Sequence, residues 1–286
     1  MEKRPLGNTG DSLSIVGVGG VVVVQMTQTE ADAILHEAID RGVNYFDVAP
    51  SYGSGQETEK RYGGALVGKR DKVFLACKTE GRTKADAEAE LNRSLTNLQT
   101  DHFDLYQLHH ITTVEEVETA LGEGGAIEAI LEAQAAGKIR HIGFSAHSVE
   151  AAVLAMNRFP FVSALFPVNF VTYSEGNFGA QIFEKCEEKG VARLALKAMA
   201  KTGWKTGADR SRTPHVWYEP LEDKRLAEIA LRYTLSMPVT ATVPPGDLRL
   251  FRWALEFAER YTPITPEEKA ELLQEAKGLE PIFKAA

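Results

Sequence analysis

Four side chains with acid–base chemistry stand at or just after the ends of three consecutive predicted strands. Asp47 and Lys78 each follow an apolar run, Tyr52 lies in the loop after Asp47, and His109 ends the third run. Taken singly, each residue type has an ordinary structural use, such as a turn-forming Asp or a loop Tyr with a solvated hydroxyl. Together they supply a carboxylate, a phenol, an amine and an imidazole, which favours proton-transfer chemistry.

Lys78 is the most informative of the four. It directly follows the apolar run Val73–Cys77, so its charge is expected to lie in a buried environment and to need a partner. A different interpretation is a lyase or aldolase in which Lys78 forms a Schiff base with a carbonyl substrate. Pairing with Asp47 argues against that interpretation, because a paired lysine stays charged.

The elements that must position these residues alternate between short apolar runs and longer amphipathic stretches. About eight strand–helix units follow one another without a linker, which predicts one α/β domain over residues 1–286, a (β/α)8 TIM barrel. Catalytic residues of such barrels lie at the carboxyl ends of the strands. The predicted strands are Leu13–Val24, Val43–Phe46, Lys72–Cys77, His102–Leu108, Ile139–Phe144, Val162–Phe166, Val191–Leu196 and Val239–Val243.

Further helical and irregular segments complete the predicted domain. The stretch from Leu221 to Leu235 is predicted to be a helix, and an extra carboxy-terminal helix is predicted over Pro266–Lys277. The longest irregular segment, Lys201–Pro220, follows the seventh predicted strand. Loops of this length in compact domains are often functional, which makes this segment a candidate lid.

Composition and charge exclude several classes of protein. The formal net charge is −8, which argues against general binding to nucleic acid. No apolar run approaches the roughly 20 residues that span a membrane. Cys77 and Cys186 are the only two cysteines and are far apart, so neither a disulfide framework nor a zinc site is expected. These features predict a cytoplasmic protein, either a monomer or a weak homo-oligomer.

Several segments in the same order resemble the aldo-keto reductase family. The most specific is Gly42–Gly53, with the sequence GVNYFDVAPSYG, and Asp104–His109 and Lys138–Ser145 resemble two further strands of the family. Pro5–Gly10 resembles the amino-terminal β-hairpin, and Ile15–Gly20 the first barrel strand. The chain resembles a short member of the family that lacks a carboxy-terminal iron–sulfur module.

The resemblance implies reduction of an aldehyde or ketone by hydride transfer from a nicotinamide cofactor. In that reaction Tyr52 donates a proton to the carbonyl oxygen, and Lys78 lowers the pKa of the phenol. Asp47 holds Lys78 by pairing with it, and His109 orients or polarises the carbonyl. His109 is preferred to His110 because it follows Leu108 directly. No metal is required.

The resemblance also implies where the cofactor binds. NADP is the expected cofactor and NAD the alternative. The family's carboxamide-binding Gln corresponds to Leu165, and its stacking aromatic residue to Leu196. Because these nicotinamide contacts differ from the family pattern, a non-catalytic nicotinamide-binding regulatory subunit is a further hypothesis. The expected cofactor-binding residues are Gly20, Asp47, Ser145, Asn169, Leu196, Lys197, Pro244, Gly246 and Arg249.

Some of these residues have an equally good structural interpretation. Asn169 either replaces the missing carboxamide contact or caps a loop. Arg249 and Arg252 either read a 2′-phosphate or lie on the surface. A phosphate at the amino terminus of the helix after Asp247 would be bound by free backbone amides. Basic residues of the long loop either clamp the pyrophosphate or are solvated, namely Lys201, Lys205, Arg210 and Arg212.

Overall fold

An antiparallel hairpin precedes a ring of parallel strands in the computed structural model, which describes residues 1–285. Arg4 pairs with Leu13 in this hairpin. In chain order the strands are β1 (Lys3–Pro5), β2 (Ser12–Ser14), β3 (Val18–Gly19), β4 (Tyr45–Asp47), β5 (Phe74–Thr79), β6 (Phe103–Ile111), β7 (Ile139–Ala146), β8 (Ser163–Pro167), β9 (Ala192–Leu196), β10 (Ala200–Gly203), β11 (Tyr218–Pro220) and β12 (Ala241–Val243).

The eight parallel strands form a closed barrel. They neighbour one another in the order β12, β9, β8, β7, β6, β5, β4, β3. The two ends of this order meet where Gly17 N donates to Thr242 O and Thr242 N donates to Ile15 O, both at 2.9 Å. The predicted (β/α)8 barrel with an amino-terminal hairpin is therefore confirmed.

Helices cover the outside of the barrel. Many begin at a polar cap, and Thr27, Thr113 and Thr265 each form a capping box with a Glu three residues later. The helices are α1 (Gln28–Asp40), α2 (Glu57–Leu66), α3 (Lys84–Asn97), α4 (Val114–Leu121), α5 (Ala126–Ala135), α6 (Val149–Arg158), α7 (Phe170–Ser174), α8 (Ala180–Lys189), α9 (Lys224–Leu235), α10 (Leu248–Glu259) and α11 (Pro266–Ala276). None of the helices described is long and apolar enough to cross a membrane.

Two predicted strands differ most from the observed ones. The run Leu13–Val24 is divided among the hairpin, the short strand β3 and a 3-10 turn over Gly20–Val23. Glycine is required in this run, because a Cβ on Gly17 would lie 2.5 Å from Tyr45 Cδ1. The fourth barrel strand, β6, extends past Leu108 to Ile111.

Two predictions in the second half of the chain also need correction. The segment Lys201–Pro220 is not wholly irregular, because β10 and β11 pair in an antiparallel ladder at its two ends. Helix α9 begins at Lys224 rather than at Leu221, since Asp223 caps it by accepting from Leu226 N at 2.8 Å. The extra carboxy-terminal helix is present as α11.

A cluster of apolar side chains fills the inside of the barrel. Tyr45, Phe74, Leu105 and Leu194 belong to this inner cluster, which is separate from the larger core between strands and helices. The interior is therefore packed rather than open, and polar residues gather at the carboxyl ends of the strands.

Candidate active site

Asp47 and Lys78 form a buried ion pair between neighbouring strands. Lys78 Nζ lies 2.5 Å from Asp47 Oδ2 and 3.2 Å from the carbonyl oxygen of Val48. Gln107 Nε2 donates to the other carboxylate oxygen, Oδ1, at 3.3 Å. Burial disfavours charge on Lys78, but Asp47 outweighs it and raises the pKa of Lys78 above its ordinary value. The amine is therefore held as an ammonium ion.

Tyr52 lies above this pair. Lys78 Nζ is 5.0 Å from the centroid of the Tyr52 ring. Burial raises the pKa of the Tyr52 phenol, and the charge of Lys78 opposes this increase. Lys78 therefore lowers the pKa of the phenol, as expected. Burial has the larger effect, so the pKa of Tyr52 is raised overall. A Cβ on Gly20 would lie 3.0 Å from Tyr52 Cδ2, so glycine at this position leaves space for the tyrosine ring.

His109 stands edge-on to Tyr52, with ring centroids 5.7 Å apart. Its Nδ1 lies 3.3 Å from Glu80 Oε1 and 3.5 Å from Ser51 Oγ. Burial lowers the pKa of His109, and Glu80 opposes this effect. In turn, the hydrogen bond with His109 lowers the pKa of Glu80 to about 2. Glu80 is therefore a carboxylate at neutral pH, and it directs the imidazole.

His110 takes part in the same region through its backbone. Its φ is +55°, and its N–H donates to Ser145 Oγ at 2.7 Å. The left-handed conformation interrupts the strand alternation, so His109 and His110 both border the cavity described next. Ser145 thus fixes the turn that follows His109.

A cavity of about 270 Å³ lies between these side chains. A longer groove of about 500 Å³ adjoins it, and the two share Tyr52, Leu196, Lys197 and Trp217. Asp47 borders the groove, whereas Lys78 and His109 border the cavity. The four predicted catalytic residues are thus brought together around one continuous space. The cavity also contacts Glu80, His110, Ser145, His147 and Leu165.

Six of the nine predicted cofactor-binding residues line the groove or the cavity, and three line neither. Asp47, Leu196, Lys197, Pro244 and Gly246 line the groove, and Ser145 lines the cavity. At Gly246 a Cβ would lie 2.3 Å from Val21 Cγ1, so only glycine allows the loop to approach there. The remaining three, Gly20, Asn169 and Arg249, do not line either space as described.

Asn169 is used as a helix cap. Its Oδ1 accepts from Thr172 N at 2.8 Å at the start of α7, while its buried Nδ2 has no partner among the described residues. The observed contact of Asn169 therefore agrees with the capping interpretation. Binding of the cofactor by Asn169 stays a prediction.

Most of the basic residues considered for phosphate binding are paired with acids. Arg249 and Arg212 both contact Glu222, at 2.8 and 2.9 Å, and Arg252 contacts Glu37 at 2.8 Å. Lys201 contacts Glu219 at 2.8 Å, and Arg210 lies over the ring of Trp204. At the amino terminus of α10, the side chain of Asp247 accepts from Leu250 N at 3.0 Å.

Sequence reasoning did not identify Glu80 and His147 as residues of the site. Glu80 follows Lys78 by two positions, and His147 follows Ser145 by two positions. Residues two apart on a strand share a face, so the alternation of strand side chains could have predicted that Glu80 and His147 lie on the same side as Lys78 and Ser145. The His147 ring stacks on Phe283 from the carboxy-terminal segment, at 4.7 Å, which the local pattern could not indicate.

Fold and site together define a closed α/β barrel with an acid–base cluster at the carboxyl ends of its strands. A model of the Aldo/keto reductase family matches residues 16–275. The chain belongs to the aldo/keto reductase family. Within the described residues, no group of three or more His, Cys, Asp or Glu side chains is placed to hold a metal ion.

Individual relatives agree with this assignment. The aldo-keto reductase YhdN of Bacillus subtilis is 34% identical over 167 residues, which cover 52% of this chain and 48% of that protein. The chain therefore spans about half the length of the curated relatives that it matches first. The aldo-keto reductase yakc [NADP(+)] of Schizosaccharomyces pombe is 26% identical and is matched over 85% of its length, with 96% of this chain covered.

A solved structure extends the likeness to the whole fold. The holo form of an aldo-keto reductase from Bacillus halodurans has a TM-score of 0.77 and 26% identity. The match covers 99% of this chain and 98% of that one. The barrel and its hairpin are therefore those of an aldo-keto reductase.

Proposed function

We propose that this chain reduces a small aldehyde or ketone to an alcohol with NADPH, and that Tyr52 is the proton donor. The observation that carries the proposal is the convergence of Tyr52, His109 and the Asp47–Lys78 pair on one cavity. The name of the yeast relative, which includes NADP(+), supports the choice of cofactor. NAD is the alternative.

The groove suits a dinucleotide that reaches the cavity. Leu196 lies where the groove and the cavity meet, and it offers an apolar surface for a nicotinamide ring. Ser145 Oγ accepts from His110 N, so its own O–H is available to donate to a carboxamide oxygen. Pro244 and Gly246 also border the groove. These residues would hold the cofactor, and bound NADPH supplies the hydride.

The side chains around the cavity would manage the proton. Negative charge develops on the carbonyl oxygen, and Tyr52 transfers its phenolic proton to that oxygen. Lys78 then stabilises the phenolate through its charge, and Asp47 keeps Lys78 protonated and in place. His109, when it carries a proton on Nε2, donates a second hydrogen bond to the carbonyl oxygen.

The same ion pair disfavours Schiff-base chemistry at Lys78. An amine must lose its proton before it attacks a carbonyl, whereas Asp47 raises the pKa of Lys78. Borohydride treatment with an aldehyde should therefore give no covalent adduct at Lys78. An adduct at this residue would support the lyase interpretation instead.

The proposal is tested by NADPH consumption with a panel of small aldehydes and ketones. Tyr52→Phe should lower kcat by about 10²–10⁴-fold, because the proton donor is lost, while NADPH still quenches protein fluorescence. Tyr173→Phe is the matched control, since it removes a phenolic hydroxyl that borders neither space. Equal rates for wild type and Tyr52→Phe would contradict the role of Tyr52. Tight NADPH binding without turnover would support a regulatory subunit.

A further inference from the structure

Lys197 is a cation of the site that the proposed reaction does not use. It directly follows β9, and its backbone is left-handed, with φ of +72°. Its Nζ lies 5.1 Å from the ring centroids of both Trp217 and Tyr218. Lys197 borders both the cavity and the groove. Two aromatic rings thus hold the ammonium group at the junction of the two spaces.

Lys197 has no acidic partner in the part of the chain that the structure describes. No carboxylate oxygen of the described residues lies within 4.0 Å of Lys197 Nζ. Of the other charged groups around the cavity, Lys78 is paired with Asp47, and Glu80 is directed to His109 rather than to Lys197. Glu80 also borders the cavity, but no carboxylate of the described residues lies within ion-pair distance of the Lys197 ammonium group.

The titration of Lys197 agrees with this geometry. Burial lowers the pKa of Lys197 to about 8, and the charge of Lys78 adds to the effect. The pKa of His147 is also well below its ordinary value, first because of burial and then because of Lys197. An anion in the cavity would relieve the repulsion that both groups experience.

We propose that Lys197 binds the carboxylate of the substrate, so that the preferred substrates are small carbonyl compounds that carry a carboxylate. This inference rests on the proposed reductase function and names its substrate class. The cavity is of a size for a small molecule, and Lys197, Tyr52 and His109 all border it. A charge-assisted hydrogen bond to Lys197 would place one end of the substrate, and Tyr52 and His109 would receive its carbonyl.

A phosphate of the cofactor is the other anion that could meet Lys197, because the residue also borders the groove. A substrate carboxylate and a cofactor phosphate predict different results for variants of Lys197. A substrate carboxylate makes the effect of Lys197 depend on the charge of the substrate. A cofactor phosphate makes it depend on the cofactor, whichever carbonyl compound is present.

The first experiment compares para-carboxybenzaldehyde with its methyl ester, using NADPH and wild-type protein. The ratio of the two kcat/KM values should favour the carboxylate by at least about tenfold, and Lys197→Met should bring it to about one. Lys197→Arg should retain the preference. Lys189→Met is the control, because it removes one positive charge at the end of α8, where Lys189 borders a different surface depression. A wild-type ratio near one would overturn the inference.

A second experiment separates this inference from the reductase proposal. Binding of benzoate and of methyl benzoate to the protein with NADP is measured by calorimetry, which needs no turnover. Benzoate should bind more tightly than methyl benzoate, and Lys197→Met should weaken it about tenfold. Failure to reduce any aldehyde while this pattern holds would reject the reductase and keep the anion site. Weaker NADPH binding by Lys197→Met with no effect on benzoate would assign Lys197 to the cofactor and overturn the inference.

Discussion

The ammonium group of Lys78 lies 2.5 Å from the carboxylate of Asp47, and both residues are almost completely buried, at 0% and 2% exposure. Two charges in such a setting stabilise each other only as a pair, because each alone would lose its hydration without compensation. The pair joins the ends of β4 and β5 directly beneath Tyr52. Structure and proposed chemistry therefore depend on the same contact.

Replacing Asp47 with Asn should destabilise the protein and lower its activity. The change leaves a buried ammonium ion without its counter-charge, which is expected to reduce the free energy of unfolding by about 3 kcal/mol. Urea unfolding measures this loss. Asp71→Asn, at an exposed position, is the control and should change stability by less than about 0.5 kcal/mol.

The pH dependence of this pair follows from the direction of the shift. The pKa of Lys78 is raised on folding, so its contribution is fully present below the unfolded value of about 10.4. It is lost as the pH rises through the higher folded value. In Asp47→Asn no counter-charge opposes burial, so the pKa of Lys78 falls on folding, and the variant regains stability as the pH rises towards about 10.4. The difference between wild type and Asp47→Asn should therefore be largest near neutral pH and shrink as the solution becomes alkaline. A difference that grows with pH would contradict the assignment of the charge to Lys78.

Replacing Glu80 with Gln should change the pH dependence of carbonyl reduction. A carboxylate only accepts hydrogen bonds, so Glu80 keeps a proton on His109 Nδ1, 3.3 Å away. Neutral His109 then has no proton on Nε2, and only the imidazolium form can donate from that atom. Burial lowers the pKa of His109 below its ordinary value of about 6.5, so reduction by wild type should accelerate only as the pH falls below that value.

The Glu80→Gln amide can instead donate to Nδ1 and leave the proton of neutral His109 on Nε2. The acidic rise in kcat/KM for a neutral aldehyde should therefore become flatter in this variant. Glu115→Gln, on the exposed side of α4, should keep the wild-type profile. Parallel pH profiles for wild type and Glu80→Gln would show that Glu80 does not control His109.

The sequence predicts the convergence of Asp47, Lys78 and His109 for a simple reason. Parallel strands of a barrel end at one face, so residues at strand ends meet even when they are far apart in the chain. The same argument extends to Glu80, two positions beyond Lys78. Local periodicity was therefore sufficient for the barrel and for most of the acid–base cluster.

Residues whose positions depend on distant contacts could not be predicted in this way. The loop after β9 is ordered by such contacts, since Thr202 Oγ1 donates to Glu280 O at 2.7 Å. His110 takes a left-handed conformation that Ser145 stabilises from another strand. Neither contact leaves a periodic pattern in the sequence. The predicted cytoplasmic location and oligomeric state stay predictions.

Replacing Lys197 with Met should stabilise the protein, although it removes the proposed anion contact. The folded pKa of about 8 is below the unfolded value of about 10.4, so the folded chain loses this proton more readily than the unfolded chain. The groups that face Lys197 are Lys78, His147 and Tyr218. Among these, Lys78 repels the ammonium and adds to the cost of burying it.

That cost sets the size and the pH range of the effect. At pH 7 the variant should gain about 1–3 kcal/mol in the free energy of unfolding, since methionine keeps the length of the side chain without its charge. Wild-type stability rises between about pH 8 and about pH 10.4, as the folded chain no longer has to bury the charge. The stability advantage of Lys197→Met should therefore shrink over this range.

Urea unfolding at several pH values measures this advantage, with Lys189→Met as the control. A Lys197→Met variant that is less stable than wild type at pH 7 would contradict the argument. A stabilised variant that also loses selectivity for carboxylates would indicate that Lys197 is kept for binding, at a cost in stability.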